Sequence, residues 1–291
     1  MKTRKSIPYI YVSAAFLLVM VFVYFPIMQN FYYSFLKLSS YSENVTFMGL
    51  ANYKRLFVDP IFYIGLRNNI LYAVISIIFQ VGIGLVLAML LESKYVGSLR
   101  GFFRSVFFVP CVISIAAVGL LWQFIYNPEV GLLNNFLKTI GLEMLAHPWL
   151  GDSKTAIYSI IGMSQWQWTG YIVMLFIVAI QKIPVQLYEA ADIDGASGIQ
   201  KALTITIPQV KEMTLVTSVI TVIGSFKVFT EVYTMTLGGP GNSSHVLGTY
   251  LYETAFLYDE LGYASTIGAI IFIITLATSI LQIIISKSGE A

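Results

Sequence analysis

The sequence predicts an all-α membrane protein whose helices cross a lipid bilayer several times. Of its 291 residues 57% are hydrophobic and 11% are charged, and the mean hydropathy is +0.77. Soluble domains have about 45 to 50% apolar and about 25% charged residues, so too few charges exist here to cover a soluble surface. The 20 Phe and 19 Tyr residues suit two water–lipid boundaries. The composition therefore argues against a soluble enzyme.

Six apolar stretches are long enough to cross the hydrocarbon core as helices. A helix needs about 20 residues to span roughly 30 Å, and lipid offers no hydrogen-bond partner to an open backbone. The predicted spans are residues 7–35, 69–91, 102–126, 156–180, 214–237 and 264–286. The apolar part of the first stretch is longer than the roughly 7 to 15 residues of a secretory signal, so we interpret it as a retained span.

The sequence predicts one membrane domain over residues 1–291 with both termini in the cytoplasm. We see no internal repeat and no low-complexity linker that would divide the chain. With the N-terminus inside, more Lys and Arg residues fall in the cytoplasmic segments than in the outer ones, as the positive-inside rule requires. Six crossings then return the C-terminus to the cytoplasm.

Charge and cysteine content exclude several classes of protein. The net charge is only +2, so no basic field exists to attract nucleic acid. Cys111 is the single cysteine, which excludes an intrachain disulfide and a cysteine-based metal site. His147 and His245 lie in separate segments, and we expect both to be surface residues. The sequence predicts no metal site.

The longest predicted cytoplasmic connection, residues 181–212, is far more polar than its neighbours. Leu187, Ala190 and Ala191 fall at helical spacing and predict a short helix that ends before Gly195, which can adopt a positive φ at the helix end. A second amphipathic pattern covers residues 199–210, and Pro208 limits its continuation. A charged connection of this length predicts a docking surface for another protein.

Seven residues of this connection fall at the positions of a family motif, and six of them also match it in type: Glu189, Ala190, Ala191, Gly195, Ile205, Ile207 and Pro208, of which Ile207 is the conservative exception. The pattern resembles the E-A-A-x-x-x-G-x(9)-I-x-L-P loop of ABC-importer permease subunits, with Ile207 where the family usually has Leu. The resemblance implies that these residues form a coupling helix, which inserts into a groove on a separate ATP-hydrolysing subunit.

A second match narrows the resemblance to the maltose, oligosaccharide and glycerol-3-phosphate group. It rests on Leu237-Gly238-Gly239-Pro240, Phe107-Phe108-Val109-Pro110 and Asn69. The resemblance implies a heterodimer with a second homologous permease, an extracytoplasmic solute-binding protein and a carbohydrate substrate, in a bacterial-type inner membrane. No Gly-Lys dipeptide and hence no phosphate-binding loop occurs in the sequence. ATP and Mg would therefore be used by the partner, and this chain is expected to bind no cofactor and catalyse no reaction.

Polar residues inside two predicted spans mark a candidate solute pathway. They are Gln165, Trp168 and Thr169 in the fourth span, and Ser225, Lys227 and Glu231 in the fifth. A sugar needs amides, hydroxyls and aromatic planes, and a charge within a bilayer is costly enough to indicate function. An alternative stays open for each group. The fourth-span residues could instead join helices to one another. Lys227 and Glu231, at i and i+4, could instead form an internal ion pair or reach the outer interface.

Two other classes of function compete with the importer. An ion-coupled secondary carrier would use Lys227 and Glu231 as its coupling pair, but such carriers often have two related halves with broken helices, which this sequence does not show. A membrane-embedded enzyme is the third class. No G-x-S-x-G or H-E-x-x-H motif supports it.

Overall fold

The computed structural model describes residues 7–288. Its α-helices, in chain order, are α1 (Ile7–Val19), α2 (Phe25–Tyr33), α3 (Ala51–Leu56), α4 (Pro60–Ser76), α5 (Gly84–Glu92), α6 (Arg100–Val112), α7 (Ile115–Ile125), α8 (Leu132–Thr139), α9 (Ala156–Ile180), α10 (Val185–Ile193), α11 (Gly198–Lys201), α12 (Ile207–Gln209), α13 (Lys211–Phe226), α14 (Thr230–Thr236), α15 (Leu247–Tyr252) and α16 (Leu261–Ser288). Wider π-helical turns occupy Met20–Tyr24, Ile77–Ile83, Ala202–Thr206 and Glu253–Leu257, and two 3₁₀ turns occupy Gly97–Leu99 and Glu143–Leu145. The mostly helical fold agrees with the predicted class.

Four continuous helices of the described chain are long and apolar enough to cross a membrane. They are Val12–Tyr33, Pro60–Glu92, Ala156–Ile180 and Leu261–Ile285. Two further pairs, α6 with α7 and α13 with α14, pass the same test together but are bent, by 98° and 42° respectively. The described chain therefore has four candidate spans, or six if each bent pair is counted as one.

A two-stranded hairpin departs from the all-α prediction. Strands β1 (Leu36–Ser39) and β2 (Ser42–Phe47) pair antiparallel, with Leu36 opposite Phe47. This segment is more polar than the spans, and its β-branched Val45 and Thr46 favour an extended backbone. A short connection outside the apolar stretches thus forms its own hydrogen-bonded ladder.

The second span begins nine residues earlier than predicted. Asp59 precedes α4, and its carboxylate accepts the backbone N–H of Ile61 at 2.9 Å and that of Phe62 at 3.4 Å. Pro60 occupies the first helical position, where its fixed φ suits a helix start. Asp59 and Pro60 therefore form a local start signal, and the helix runs from there through Arg67 and Asn68 into the predicted span.

The third predicted span, residues 102–126, is wrong as a single straight helix. The backbone is extended at Ile113, and α6 and α7 meet there at 98°. Pro110 lies inside α6, one turn before the bend, where it removes a backbone donor. The amide of Gln167 donates to the Ile113 carbonyl at 3.2 Å, which satisfies an acceptor at the bend.

The described chain clusters into two compact units. One comprises the described residues up to Phe62 together with Tyr250–Ile273, and the other comprises Tyr63–Thr249 with the described residues from Ile274 onward. Whether the chain is a single functional domain stays a prediction.

Asp59 is the polar centre of the first unit. The hydroxyls of Tyr250 and Tyr263 both donate to its carboxylate, the latter at 2.6 Å. Burial raises the pKa of Asp59, but these two hydrogen bonds and the two backbone N–H groups of α4 outweigh it and hold the pKa below its usual range. Arg55 lies over the Tyr263 ring at 4.0 Å and pairs with Glu260 at 2.7 Å.

Helix α9 is the centre of the second unit. Its early residues, including Ile160 and Met163, belong to one buried apolar cluster, and its later residues, including Val173 and Phe176, belong to another. A helix that is apolar around its whole circumference is stable only when other helices or lipid surround it. The fourth span is confirmed at residues 156–180, the bounds that the sequence predicts.

Candidate functional site

The predicted docking connection folds into two short helical pieces joined by a sharp turn. Helix α10 carries Glu189, Ala190 and Ala191 and is capped by Gly195, whose φ is +74°. The N–H of Gly195 bonds the Asp192 carbonyl at 3.1 Å, and the N–H of the next residue bonds the Ala191 carbonyl at 2.8 Å. This pair of bonds is a Schellman motif, so the predicted helix and its glycine end are confirmed.

The second piece starts with a capping box. The Ser197 hydroxyl accepts the Gln200 N–H, while the Gln200 side chain accepts the Ser197 N–H. Helix continues through α11, a π-helical turn and α12, and places Ile205, Ile207 and Pro208 near its end. Proline cannot continue an interior helix without losing a bond, and the backbone turns at the second residue after it.

Two side-chain contacts hold the pieces together. Tyr188 and Thr206 hydroxyls lie 2.9 Å apart, and Lys201 Nζ lies 2.6 Å from Asp192 Oδ1. The hydrogen bond from Lys201 lowers the pKa of Asp192. We call residues 185–209 the coupling segment, and these contacts give it a fixed shape.

The coupling segment exposes apolar side chains in a charged setting. No residue of α10 is buried, and Ile193 and Ile199 are 88% and 75% exposed. Glu189, Asp192 and Asp194 share this surface. Such a mixture does not suit the lipid interior, and exposed apolar side chains at a polar surface are typical of a protein–protein contact.

A cavity of about 320 Å³, lined by both polar and apolar side chains, lies in the second unit. Its walls come from the second, fourth and fifth predicted spans and from the start of α7, and it is lined by Tyr72, Ser76, Gln80, Ile115, Ser164, Trp168, Tyr171, Ile172, Ile220, Thr221, Gly224, Ser225, Lys227, Val228, Phe229, Thr230 and Glu231. The volume lies at the lower end of the range for ligand pockets, roughly 300 to 1,000 Å³.

Buried hydroxyls in the cavity wall have few hydrogen-bond partners in the described part of the chain. The hydroxyls of Tyr72 and Ser164 interact with each other, and Thr221 Oγ1 has no partner. Their side chains are 5% exposed or less. A buried hydroxyl without a partner costs free energy, so this wall suits a hydroxyl-rich ligand or ordered water.

The three residues predicted in the fourth span do not all line the cavity. Trp168 lines the cavity. Gln165 does not, but its amide donates to Ser76 Oγ in the cavity wall at 3.1 Å, and Thr169 donates to the Gln165 carbonyl at 2.6 Å. Gln165 therefore supports the wall that Trp168 and Ser76 form, whereas the Thr169 hydroxyl bonds the backbone of its own helix.

The structure contradicts the expected helical pairing of Lys227 with Glu231. Helix α13 ends at Phe226 and α14 begins at Thr230, so the two residues do not share one helix face. Lys227 is exposed, Glu231 is 5% exposed, and no ion pair joins them among the described residues. The Glu231 carboxylate lies instead within hydrogen-bond reach of the backbone N–H groups of Phe229 and of Glu231 itself. Both residues and Ser225 line the cavity.

Sequence reasoning missed the roles of two asparagines and a histidine. Asn68 and Asn69 are buried in α4 and bind backbone groups of distant segments. His245 is 3% exposed, with Nδ1 3.0 Å from the Thr249 hydroxyl, so its prediction as a surface residue is wrong. Polar residues at the edge of an apolar stretch were the available signal, but their partners lie far away in sequence.

The cavity and the coupling segment are directly connected. Helix α9 contributes Ser164 and Trp168 to the cavity and ends four residues before α10 starts. A single residue, Val210, separates α12 from helix α13, which contributes Thr221 and Ser225 to the cavity. Both helices are continuous, so each of them links the coupling segment to one wall of the cavity.

Fold and cavity together define a multi-pass helical membrane protein with a polar site among its helices. Residues 80–288 match the family described as binding-protein-dependent transport system inner membrane component. The chain belongs to this family and is a permease subunit of an ABC importer, which confirms the resemblance identified in the sequence.

Individual relatives cover nearly the whole chain. The probable ABC transporter permease protein YurN of Bacillus subtilis is 54% identical over 287 residues, covering 99% of this chain and 98% of that protein. The arabinooligosaccharides transport system permease protein AraP of Bacillus subtilis is 33% identical over 288 residues, covering 98% and 90%.

A solved structure has the same fold. It is the crystal structure of a bacterial ABC transporter involved in the import of the acidic polysaccharide alginate, one chain of which matches with a TM-score of 0.84 at 22% identity, covering 96% of this chain and 94% of that one. None of these matches supports an ion-coupled carrier.

Proposed function

We propose that this permease, paired with a second homologous permease, forms the pathway for a sugar or oligosaccharide that an extracytoplasmic binding protein delivers. The observation that carries this proposal is the cavity, which combines buried hydroxyls that have few protein partners with aromatic side chains. The relative AraP is named for arabinooligosaccharide transport, and the structural relative for alginate import, so both have carbohydrate substrates.

The cavity chemistry suits a carbohydrate. Tyr72, Ser164 and Thr221 offer hydroxyls that can both donate and accept, as sugar hydroxyls do. Trp168 offers an aromatic plane on which the apolar face of a sugar ring can lie. We assign the predicted solute pathway to Trp168, Ser225, Lys227 and Glu231, with Gln165 holding the wall behind them.

We further propose that the coupling segment binds a separate ATPase subunit, which uses ATP and Mg. The contact would centre on the residues that match the family motif: Glu189, Ala190, Ala191, Gly195, Ile205, Ile207 and Pro208. Support comes from the fixed shape of the segment and from its exposed apolar side chains beside charged ones. This chain would bind no nucleotide and catalyse no reaction itself.

Co-purification and transport test this assignment. A tagged chain extracted in mild detergent should bring an ATPase and a second permease with it. In proteoliposomes containing the complex and its binding protein, uptake of labelled oligosaccharides should require ATP inside and persist when ion gradients are collapsed. Uptake by this chain alone, driven by an ion gradient, would contradict the proposal and favour the secondary carrier.

We also propose that the chain crosses the membrane six times, with both termini and the coupling segment in the cytoplasm. Each bent helix pair then counts as one span. In a Cys111→Ala background, a cysteine at Ser197 should react with a membrane-impermeant thiol reagent only from the cytoplasmic side, and one at the fully exposed Met144, between the third and fourth predicted spans, only from outside. The reverse pattern would overturn the orientation and the ATPase contact together.

A further inference from the structure

One face of α4 connects a distant loop to the cavity. Gly65, Asn68, Asn69, Tyr72 and Ser76 follow one another at i, i+3, i+4, i+7 and i+11, which places them along one side of the helix. Tyr72 and Ser76 line the cavity. The residues before them contact the loop between α14 and α15, residues 237–246, which we call the GGP loop.

Asn69 bonds two segments at once. Its side-chain nitrogen donates to the Ser225 carbonyl at 2.6 Å, and its side-chain oxygen accepts the Leu247 N–H at 2.8 Å. Ser225 lies just before the break in the fifth span, and Leu247 is the first residue of α15, where an N–H has no partner within its own helix. The Asn69 side chain is fully buried, so both bonds are protected from water.

The GGP loop is docked tightly beside this bridge. Asn68 donates to the carbonyls of Ser243 at 2.8 Å and His245 at 2.7 Å. A Cβ on Gly65 would lie 3.2 Å from the Leu247 nitrogen and the Val246 carbonyl carbon, which leaves no room for a larger residue without a shift. Asn68 bonds only residues of the loop, whereas Asn69 bonds Leu247, which directly follows the loop, and Ser225, which lies just before the break.

We propose that Asn69 is a positioning residue that makes the GGP loop and the break in the fifth span one structural unit. The side-chain amide is planar and rigid, so if the loop leaves α4 and carries Leu247 with it, rotation of the Asn69 side chain toward a new partner for its oxygen also takes its nitrogen away from Ser225. Release of the loop then loosens the break and opens the cavity wall. This inference goes beyond the proposed transport function and does not depend on which solute is bound.

Two cysteine reporters measure the linkage in the full chain, expressed with its partner subunits. In a Cys111→Ala background, Ser243→Cys reports on the loop and Thr230→Cys reports on the cavity wall. Alkylation by N-ethylmaleimide is timed at each. Asn68→Leu, which removes only loop contacts, should accelerate alkylation at both positions, by about tenfold, because one lost buried hydrogen-bond donor is worth that much.

Comparison with Asn69→Leu shows whether the effect of Asn68→Leu on the cavity reporter depends on Asn69. In the Asn69→Leu background both reporters should already react fast, and adding Asn68→Leu should no longer change the Thr230→Cys rate. Asn135→Leu, at an exposed asparagine of α8, is the matched control and should change neither rate. The proposal would be overturned if Asn68→Leu accelerated alkylation only at Ser243→Cys, or at neither reporter. The comparison of Asn68→Leu with the unsubstituted asparagine can still be made if Asn69→Leu does not assemble.

Discussion

The coupling segment and the cavity are opposite in character although two continuous helices join them. The coupling segment has its polar groups bonded locally, by a capping box and a Schellman motif, and leaves apolar side chains exposed. The cavity lies among buried apolar residues, and its wall includes buried hydroxyls with few protein partners. Each region therefore lacks contacts that its proposed partner would supply. An ATPase surface would cover the exposed apolar side chains of the coupling segment, and a sugar would bond the buried hydroxyls of the cavity.

The largest expected effect breaks the coupling segment without touching the cavity. Gly195→Val places a β-branched residue at φ +74°, where even an unbranched residue costs about 1 to 2 kcal/mol. Uptake and solute-stimulated ATP hydrolysis should fall by at least about tenfold, while the amount of inserted chain is unchanged. Gly198→Val is the matched control, because Gly198 starts a helix with open space around its Cβ. Normal activity of Gly195→Val in the reconstituted complex would refute the role of this turn.

A second experiment sharpens the description of the cavity wall. Glu231→Leu removes the acceptor near the backbone N–H groups of Phe229 and Glu231, which should destabilise the break by about 1 to 3 kcal/mol. Lys227→Met should cost little, since Lys227 is exposed. Thermal unfolding of the four combinations should give additive losses within about 0.5 kcal/mol. A coupling energy clearly larger than this would contradict additivity and support the ion pair between Lys227 and Glu231 that the sequence suggested.

A third experiment separates two tryptophans of one helix. Trp168 lines the cavity, whereas Trp166 is 43% exposed and contacts Trp122. Loss of an aromatic plane against a sugar ring is worth about 0.5 to 1.5 kcal/mol, so Trp168→Ala should raise the apparent KM for uptake by up to about tenfold. Trp166→Ala should leave KM unchanged. Equal effects of the two substitutions would remove Trp168 from the solute pathway.

The smallest expected effect concerns the ion pair of the coupling segment. The pKa of Asp192 is lowered, so its pairing with Lys201 contributes at pH values above the ordinary Asp pKa and is lost only as the pH falls through the lowered value. Between about pH 5 and 8 the pair is therefore constant. Because Asp192 is exposed, Lys201→Met should change uptake by less than about twofold at either end of this interval. A strong pH dependence in the variant would show that Lys201 has another role.

Local signals explain why some elements were predictable. Span four is 25 residues long and contains no charged residue, and the coupling helix ends at a glycine that is soon followed by the capping Ser197, so apolar length and end signals predict these elements well. The early start at Asp59 and Pro60 and the bend after Pro110 also had local signals, but apolar length alone hides them.

The sequence by itself determined that the chain is a helical membrane protein, where its apolar helices lie, and the form of its coupling segment, because these depend on composition and on residues within a few positions. Only the tertiary structure decided the break in the fifth span, the separation of Lys227 from Glu231 and the burial of His245. The Ser225 carbonyl before the break is bonded by Asn69, 156 residues earlier in the chain. A hydrogen bond between such distant residues leaves no periodic trace in the sequence, and folding is required to bring the two groups together.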